Sequence, residues 1–247
     1  MNRIFPANKD IRRLILKKYL SKQDIYLLFY ALGIRKDFPE SFSNTLAIKG
    51  HLEVLKWARE NGCQWDVWTC SYAALKGNLN VLQWAVENGC PWNNDTCAFA
   101  AKNGHLEVLR WAKEKGFTWD SNTCAYAAEN GHLEVLQWAR KNGCPWDSLT
   151  CSSAAEYGHL EVLRWARENG CPWDSSACAR AAINGKLEVL RWLRANGCPW
   201  NSDTCTYAAQ FQQFEVLRWA VENGCKTNHY TRKYAASYGK EELLYLP

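Results

Sequence analysis

The chain repeats itself every 27 residues, and no other property restricts its fold as tightly. The phrase "GHLEVL" at Gly50 has counterparts beginning at Gly77, Gly104, Gly131, Gly158 and Gly185, then "QQFEVL" at Gln212 and "GKEELL" at Gly239. Trp57, Trp84, Trp111, Trp138, Trp165, Trp192 and Trp219 fall in one column, and Trp65, Trp92, Trp119, Trp146, Trp173 and Trp200 in another. Only Trp68 of the fourteen tryptophans stands outside both columns. A unit this short cannot enclose a core of its own, so each must bury its apolar face against a neighbour.

Within a unit, "HLEVLQWARKNG" from His132 to Gly143 sets Leu133, Leu136 and Ala139 at i, i+3 and i+6, with Val135 and Trp138 beside them. That spacing predicts a helix buried on one side. Asn142-Gly143 should end it, because glycine accepts the left-handed conformation and Pro145 prevents resumption. The segment "SLTCSSAAEYG" at 148–158 opens with Ser and Thr of the capping type, carries Ala154-Ala155 and ends at Gly158, which predicts a shorter helix. No strand pattern occurs. The expected class is all-α, each unit being helix, glycine turn, helix and short loop.

"AAENGHLEVLQW" and its siblings resemble the ankyrin repeat over about residues 42–247. The resemblance implies an α-solenoid of about seven to eight helix pairs over residues 41–247. It also implies a non-enzymatic role, binding a partner protein through a concave face. The family unit usually has 33 residues with a Thr-Pro-Leu-His opening and a β-hairpin finger; here "TCAY" or "TCSS" replaces the opening. The finger should therefore shrink to the loop "GCPWDS". Short, Trp-rich units of this kind also resemble ankyrin-like arrays of large DNA viruses of amoebae, which implies a viral protein working in host cytoplasm.

All twelve cysteines lie in two columns. Cys63, Cys90, Cys144, Cys171, Cys198 and Cys225 follow a helix-ending glycine, while Cys70, Cys97, Cys124, Cys151, Cys178 and Cys205 sit early in the first helix. Members of one column belong to successive helices about 8–10 Å apart, too far for the roughly 4.4–6.8 Å between Cα atoms that a disulfide needs. Pairing across columns at i and i+7 stays open on spacing. Phe117 occupies the first of these columns while Cys124, its i+7 partner, persists, so neither bridge nor shared metal is a requirement of the unit. The cysteines read as small buried hydrophobes, with a metal or redox protein as the alternative use of the columns. Reduced cysteines fit a cytoplasmic setting.

His51, His105, His132 and His159 share their column with Asn78, Lys186, Gln213 and Lys240, which excludes a ligand or catalytic role and leaves a turn-stabilising hydrogen bond or a solvent-facing group. The tryptophan columns read as core packing rather than a stacking ladder for bases. No catalytic constellation, metal-ligand spacing or phosphate loop is present, so no cofactor is expected.

Residues 1–36 carry nine Lys or Arg against Asp10 and Asp24, a net +7; subtracted from the overall +5, this leaves −2 for the remainder. The basic balance thus gives no support to nucleic-acid binding by the repeats. The ten-residue apolar run "IYLLFYALGI", 25–34, is about half a membrane span, and no membrane association is expected. Residues 1–40 form a separate helical segment, read as a cap. "YLSKQDIYLL" within it is similar to the middle of an F-box, although Pro6 stands about three residues further upstream than that family places it. The F-box resemblance implies a substrate adaptor that contacts ubiquitin-ligase subunits.

If ankyrin geometry applies, the free positions of each unit are the two residues after Ala-Ala and the two after Trp-Asp. Most are polar. Val67, Trp68, Leu75, Leu149, Tyr157, Ile183 and Phe211 are the apolar exceptions and the candidate partner-binding residues. Val67, Trp68 and Leu75 have a second reading, as residues covered by the N-terminal segment. The chain is expected to act as a monomer.

Overall fold

The computed structural model describes residues 38–245, so the expectations for the N-terminal segment, cap or F-box-like, fall almost wholly outside the described residues. Described residues form fifteen α-helices and no strand. Odd-numbered helices open the repeats: α1 Phe42–Lys49, α3 Val67–Leu75, α5 Asn94–Lys102, α7 Ser121–Glu129, α9 Ser148–Tyr157, α11 Ser175–Ile183, α13 Ser202–Gln210 and α15 His229–Ser237. Even-numbered helices close them: α2 Leu52–Glu60, α4 Leu79–Glu87, α6 Leu106–Glu114, α8 Leu133–Lys141, α10 Leu160–Glu168, α12 Leu187–Ala195 and α14 Phe214–Glu222. A 3₁₀ turn, Glu241–Leu244, stands where a last closing helix would be. None of these helices is long and apolar enough to cross a membrane.

The described residues divide into two compact units, 38–96 and 97–245. In each, helix pairs stack as an all-α solenoid, and successive opening helices pack on one another more closely than successive closing helices do. The Ala-Ala pair explains this. Ala127, Ala128, Ala154, Ala155, Ala181 and Ala182 are fully buried, and with only a methyl group each they let neighbouring opening helices approach. The closing helices bury Val135, Leu136 and Ala139 and their equivalents, one stripe as the periodicity predicts.

Ends form as predicted, with one correction. The α8 helix stops at Lys141, Gly143 takes φ 83°, and the Cys144 N–H closes on Ala139 O at 3.0 Å. The opening helices, however, are not capped by the Ser and Thr of "SLT". From α3 to α13 their cap is the acid or amide that ends the Trp-Asp or Trp-Asn loop: the Asp147 carboxylate accepts from Leu149 N at 2.9 Å, Asp120 from Asn122 N at 3.0 Å, and Asn201 from Asp203 N at 3.0 Å. Thr150 instead points inward, fully buried.

Tryptophan packing also differs from expectation. Trp57 and Trp111 are buried, but the remaining column members within α4, α8, α10, α12 and α14 are half-buried, as are the loop tryptophans. The loop rings of Trp65, Trp119, Trp146, Trp173 and Trp200 instead each sit between two partners. Trp146 meets Trp165 of the next repeat edge-on at 5.9 Å between centroids, and Arg140 of its own repeat lies 4.0 Å from its centroid. Trp173 repeats this with Trp192 and Arg167, and Trp200 with Trp219 and Arg194. The same arginines donate to the carbonyls that end their helices, Arg167 to Cys171 O at 3.2 Å and Arg140 to Cys144 O. A partly exposed ring is stabilised there by both its neighbour and a cation.

Candidate protein-binding surface

The surface begins with how successive opening helices are held in register. His132 Nε2 lies 3.1 Å from Lys102 O and His159 Nε2 3.0 Å from Glu129 O, each ring reaching back to the preceding repeat. Asn78 does the same with an amide, donating to Ala47 O at 2.8 Å and Ile48 O at 3.1 Å. The Gly-His column is therefore a turn-stabilising hydrogen bond, as one of its two readings held, but one made between repeats. Glycine precedes it because the next repeat's side chain fills the space: a Cβ on Gly131 would stand 2.7 Å from the His159 ring.

On this frame the C-terminal ends of the opening helices carry paired charges. Lys102 Nζ lies 3.2 Å from Glu129, and the Arg180 guanidinium 2.5 Å from Glu156. Asn184 donates to Glu156 O at 3.0 Å. Among these neutralised groups stand two large exposed rings, Tyr157 at 47% and Phe211 at 46%. Half-buried Ile183 ends the helix between them, one position before Asn184, the repeat equivalent of the two rings. Tyr157 and Ile183 end α9 and α11, and Phe211 is the C-cap of α13, three consecutive opening helices that pack side by side.

The other candidates do not join this group. Leu149 is half-buried near the opposite end of α9, eight residues or about 12 Å along the axis from Tyr157. Val67, Trp68 and Leu75 belong to α3 in the other unit; Trp68 is 41% exposed with its ring 6.0 Å from Tyr72, while Val67 and Leu75 are half-buried.

One column escaped the sequence reading. The residue just before Ala-Ala is Tyr72, Phe99, Tyr126, Ser153, Arg180, Tyr207 and Tyr234 in turn, and all but Ser153 are half-exposed. Phe99 and Tyr126 lie 6.5 Å apart, Lys102 Nζ stands 5.1 Å from the Tyr126 ring, and Tyr207 meets Phe211 edge-on at 6.5 Å. In this column Arg180 stands between Ser153 and Tyr207, where it pairs with Glu156. An aromatic recurring immediately before a pair of alanines was the available signal.

Cysteine pairing is corrected too. The described thiols are free and buried. A contact between the columns runs at i and i+20 rather than at i and i+7: Cys205 Sγ lies 3.9 Å from the backbone oxygen of Cys225. The residue twenty after Cys97 is Phe117, so Phe117 replaces the partner of Cys97, not of Cys124. Pairing with the Cys144 and Cys198 thiols, reinforced by burial, pushes the Cys124 and Cys178 thiols up, whereas burial is the main cause that takes Cys97 up to about 12. No group of three or more His, Cys, Asp or Glu able to hold a metal occurs among the described residues.

Residues 45–86 and 151–194, one stretch in each unit, match the family model for ankyrin repeats (many copies). Among solved structures, the chain is similar to the crystal structure of the human ASB11 ankyrin repeat domain, at 18% identity and a TM-score of 0.51, over 65% of this chain and 85% of that one. That likeness is one of fold. No curated protein matches at a significant level.

Proposed function

We propose that this array of ankyrin-type helix pairs is a non-enzymatic binding module that holds another protein against the opening-helix ends of residues 97–247. Ankyrin repeats generally mediate protein–protein interaction. The observation that carries the reading is the exposure of Tyr157 and Phe211 beside Ile183, on consecutive packed helices, among charges already paired with one another. Burying those rings removes apolar area from water at about 25 cal/mol per Å², while the neutralised Arg180–Glu156 and Lys102–Glu129 pairs present no unpaired charge to desolvate. The partner contributes apolar side chains rather than nucleic acid or a membrane surface.

The test is affinity capture with the full chain and with a Tyr157→Ser, Phe211→Ser variant whose circular dichroism and unfolding midpoint match the parent. Loss of the captured proteins supports this face; retention by the variant rejects it.

A second reading rests on the "YLSKQDIYLL" phrase: residues 1–40 recruit ubiquitin-ligase subunits while the repeats hold a target. Capture with a chain lacking residues 1–40 separates the two. Ligase subunits recovered only with the full chain support the adaptor, and an unchanged set of partners leaves a binding module.

A further inference from the structure

The last described opening helix, α15, lies open on the side where every earlier one receives a successor. Ala236 is exposed, whereas the same position in all seven preceding repeats, Ala182 and Ala209 among them, is fully buried. The residues of this face depart from the repeat as well. Arg232 stands in the column of Cys178 and Cys205, and Lys233 in that of Ala179 and Thr206. Earlier members of both columns are buried, while the two cations are exposed.

Charge breaks at the same place. Residues 223–240 hold Lys226, Arg232, Lys233 and Lys240 with no Asp or Glu, a net +4, while the six corresponding stretches from 61–78 to 196–213 range from −2 to +1. Residues 37–247 sum to −2, so subtracting this +4 leaves −6 for the rest of them. Lys240 is paired with Glu242 at 3.8 Å. Lys226, Arg232 and Lys233 are exposed and form no ion pair among the described residues. Tyr230, on the same helix, is 59% exposed, and Tyr238, its C-cap, 42%. Tyr230 and Lys233 are three apart and therefore neighbours on the helix surface.

A helical array needs a polar outer face at its end, but groups of mixed sign would meet that need. It calls neither for cations alone nor for exposed tyrosines. Guanidinium, ammonium and phenol hydroxyl all donate hydrogen bonds, and no carboxylate stands among them to accept.

We propose that the open face of α15 is a second interaction surface, and that it takes a short acidic segment of a partner protein. Nine residues of helix span about 14 Å, room for about four residues of extended chain. The −6 carried by the remainder repels an anion that runs on past the face, as a nucleic-acid strand or an anionic membrane would, whereas a short run of carboxylates ends with it. Two copies of this chain meeting through the face would set Arg232 and Lys233 against their own counterparts, so the same charges oppose self-pairing. The surface acts independently of the Tyr157 and Phe211 edge.

The experiment measures fluorescence anisotropy of a labelled ten-residue peptide of alternating Glu and Gly with the full chain. Its comparisons are the same peptide with Gln for Glu, a ten-nucleotide oligothymidylate, and vesicles containing phosphatidylserine. The Glu peptide should bind about tenfold tighter than the Gln peptide at low salt and lose that preference by about 0.5 M salt. Arg232→Ser, Lys233→Ser, with small side chains like those of the earlier repeats, should keep the parent's unfolding midpoint and remove most of the preference. Tyr157→Ser, Phe211→Ser should leave it unchanged. A benzophenone at the centre of the Glu peptide should cross-link within residues 226–240. Equal binding of the Glu and Gln peptides, a preference unchanged by the serine substitutions at 232 and 233, or cross-links confined to residues 1–36 would overturn the proposal. So would tighter binding of the oligothymidylate or the vesicles than of the Glu peptide.

Discussion

The guanidinium of Arg140 lies 4.0 Å from the ring centroid of Trp146, six residues further along, while donating to the carbonyl of Cys144 between them. One side chain thereby ends α8 and supports the ring that reaches the following repeat at Trp165. Trp146→Ala should cost about 2–3 kcal/mol, below a fully buried tryptophan, and Arg140→Ala about 1 kcal/mol. A double-mutant cycle by urea unfolding should return a coupling of about 0.5–1 kcal/mol. Purely additive losses would mean that the stacking contributes nothing.

Two glycines with similar backbones should respond differently to alanine. Gly143 takes φ 83° with nothing within 4 Å of an added Cβ, so Gly143→Ala should cost only the left-handed penalty, about 1–2 kcal/mol. Gly131, at φ 74°, faces the His159 ring, which a Cβ would displace from Glu129 O. Gly131→Ala should lose roughly another 1 kcal/mol for that inter-repeat hydrogen bond. Equal unfolding midpoints for the two variants would contradict the clamp.

Gln212 stands where six earlier repeats have glycine and keeps φ 59°, one of two non-glycine residues with positive φ among those described. Replacing it with glycine should stabilise the chain by about 1 kcal/mol. Thermal unfolding reads this directly, and a lowered midpoint would show that the Gln212 side chain outweighs its backbone cost.

Asp174 caps α11, and its carboxyl is held below the usual aspartate range, chiefly by the Ser176 hydroxyl, with further hydrogen bonds from Ser148 and from Ser176 N at 2.8 Å outweighing burial. A lowered folded-state pKa means the contribution is present above the unfolded value of about 3.9 and disappears as pH falls through the folded value. Asp174→Ala should cost about 1 kcal/mol at pH 7. Asp174→Asn should cost far less, as Asn201 caps α13, and should flatten stability below about pH 4. Parallel acid titration of all three proteins by circular dichroism distinguishes these outcomes.

What the linear chain determined by itself was the architecture, because a 27-residue period with a 3.6-residue apolar stripe and punctuating glycines is local information. The stop at Asn142-Gly143, the helix pairs and the lack of strands among the described residues all follow from it. Tertiary structure decided everything that depends on which distant side chains meet. Only stacking showed that Asp147 rather than Ser148 or Thr150 caps α9, since cap identity turns on where the backbone leaves the helix. Only stacking joined the cysteine columns at i and i+20, as Cys205 meets Cys225, because the turn between helices sets a spacing that no helical period contains. The apolar exceptions illustrate the same division: their identities were legible in the repeat. That Tyr157, Ile183 and Phe211 share one edge while Leu149 lies a helix length away came from the length and direction of the opening helices.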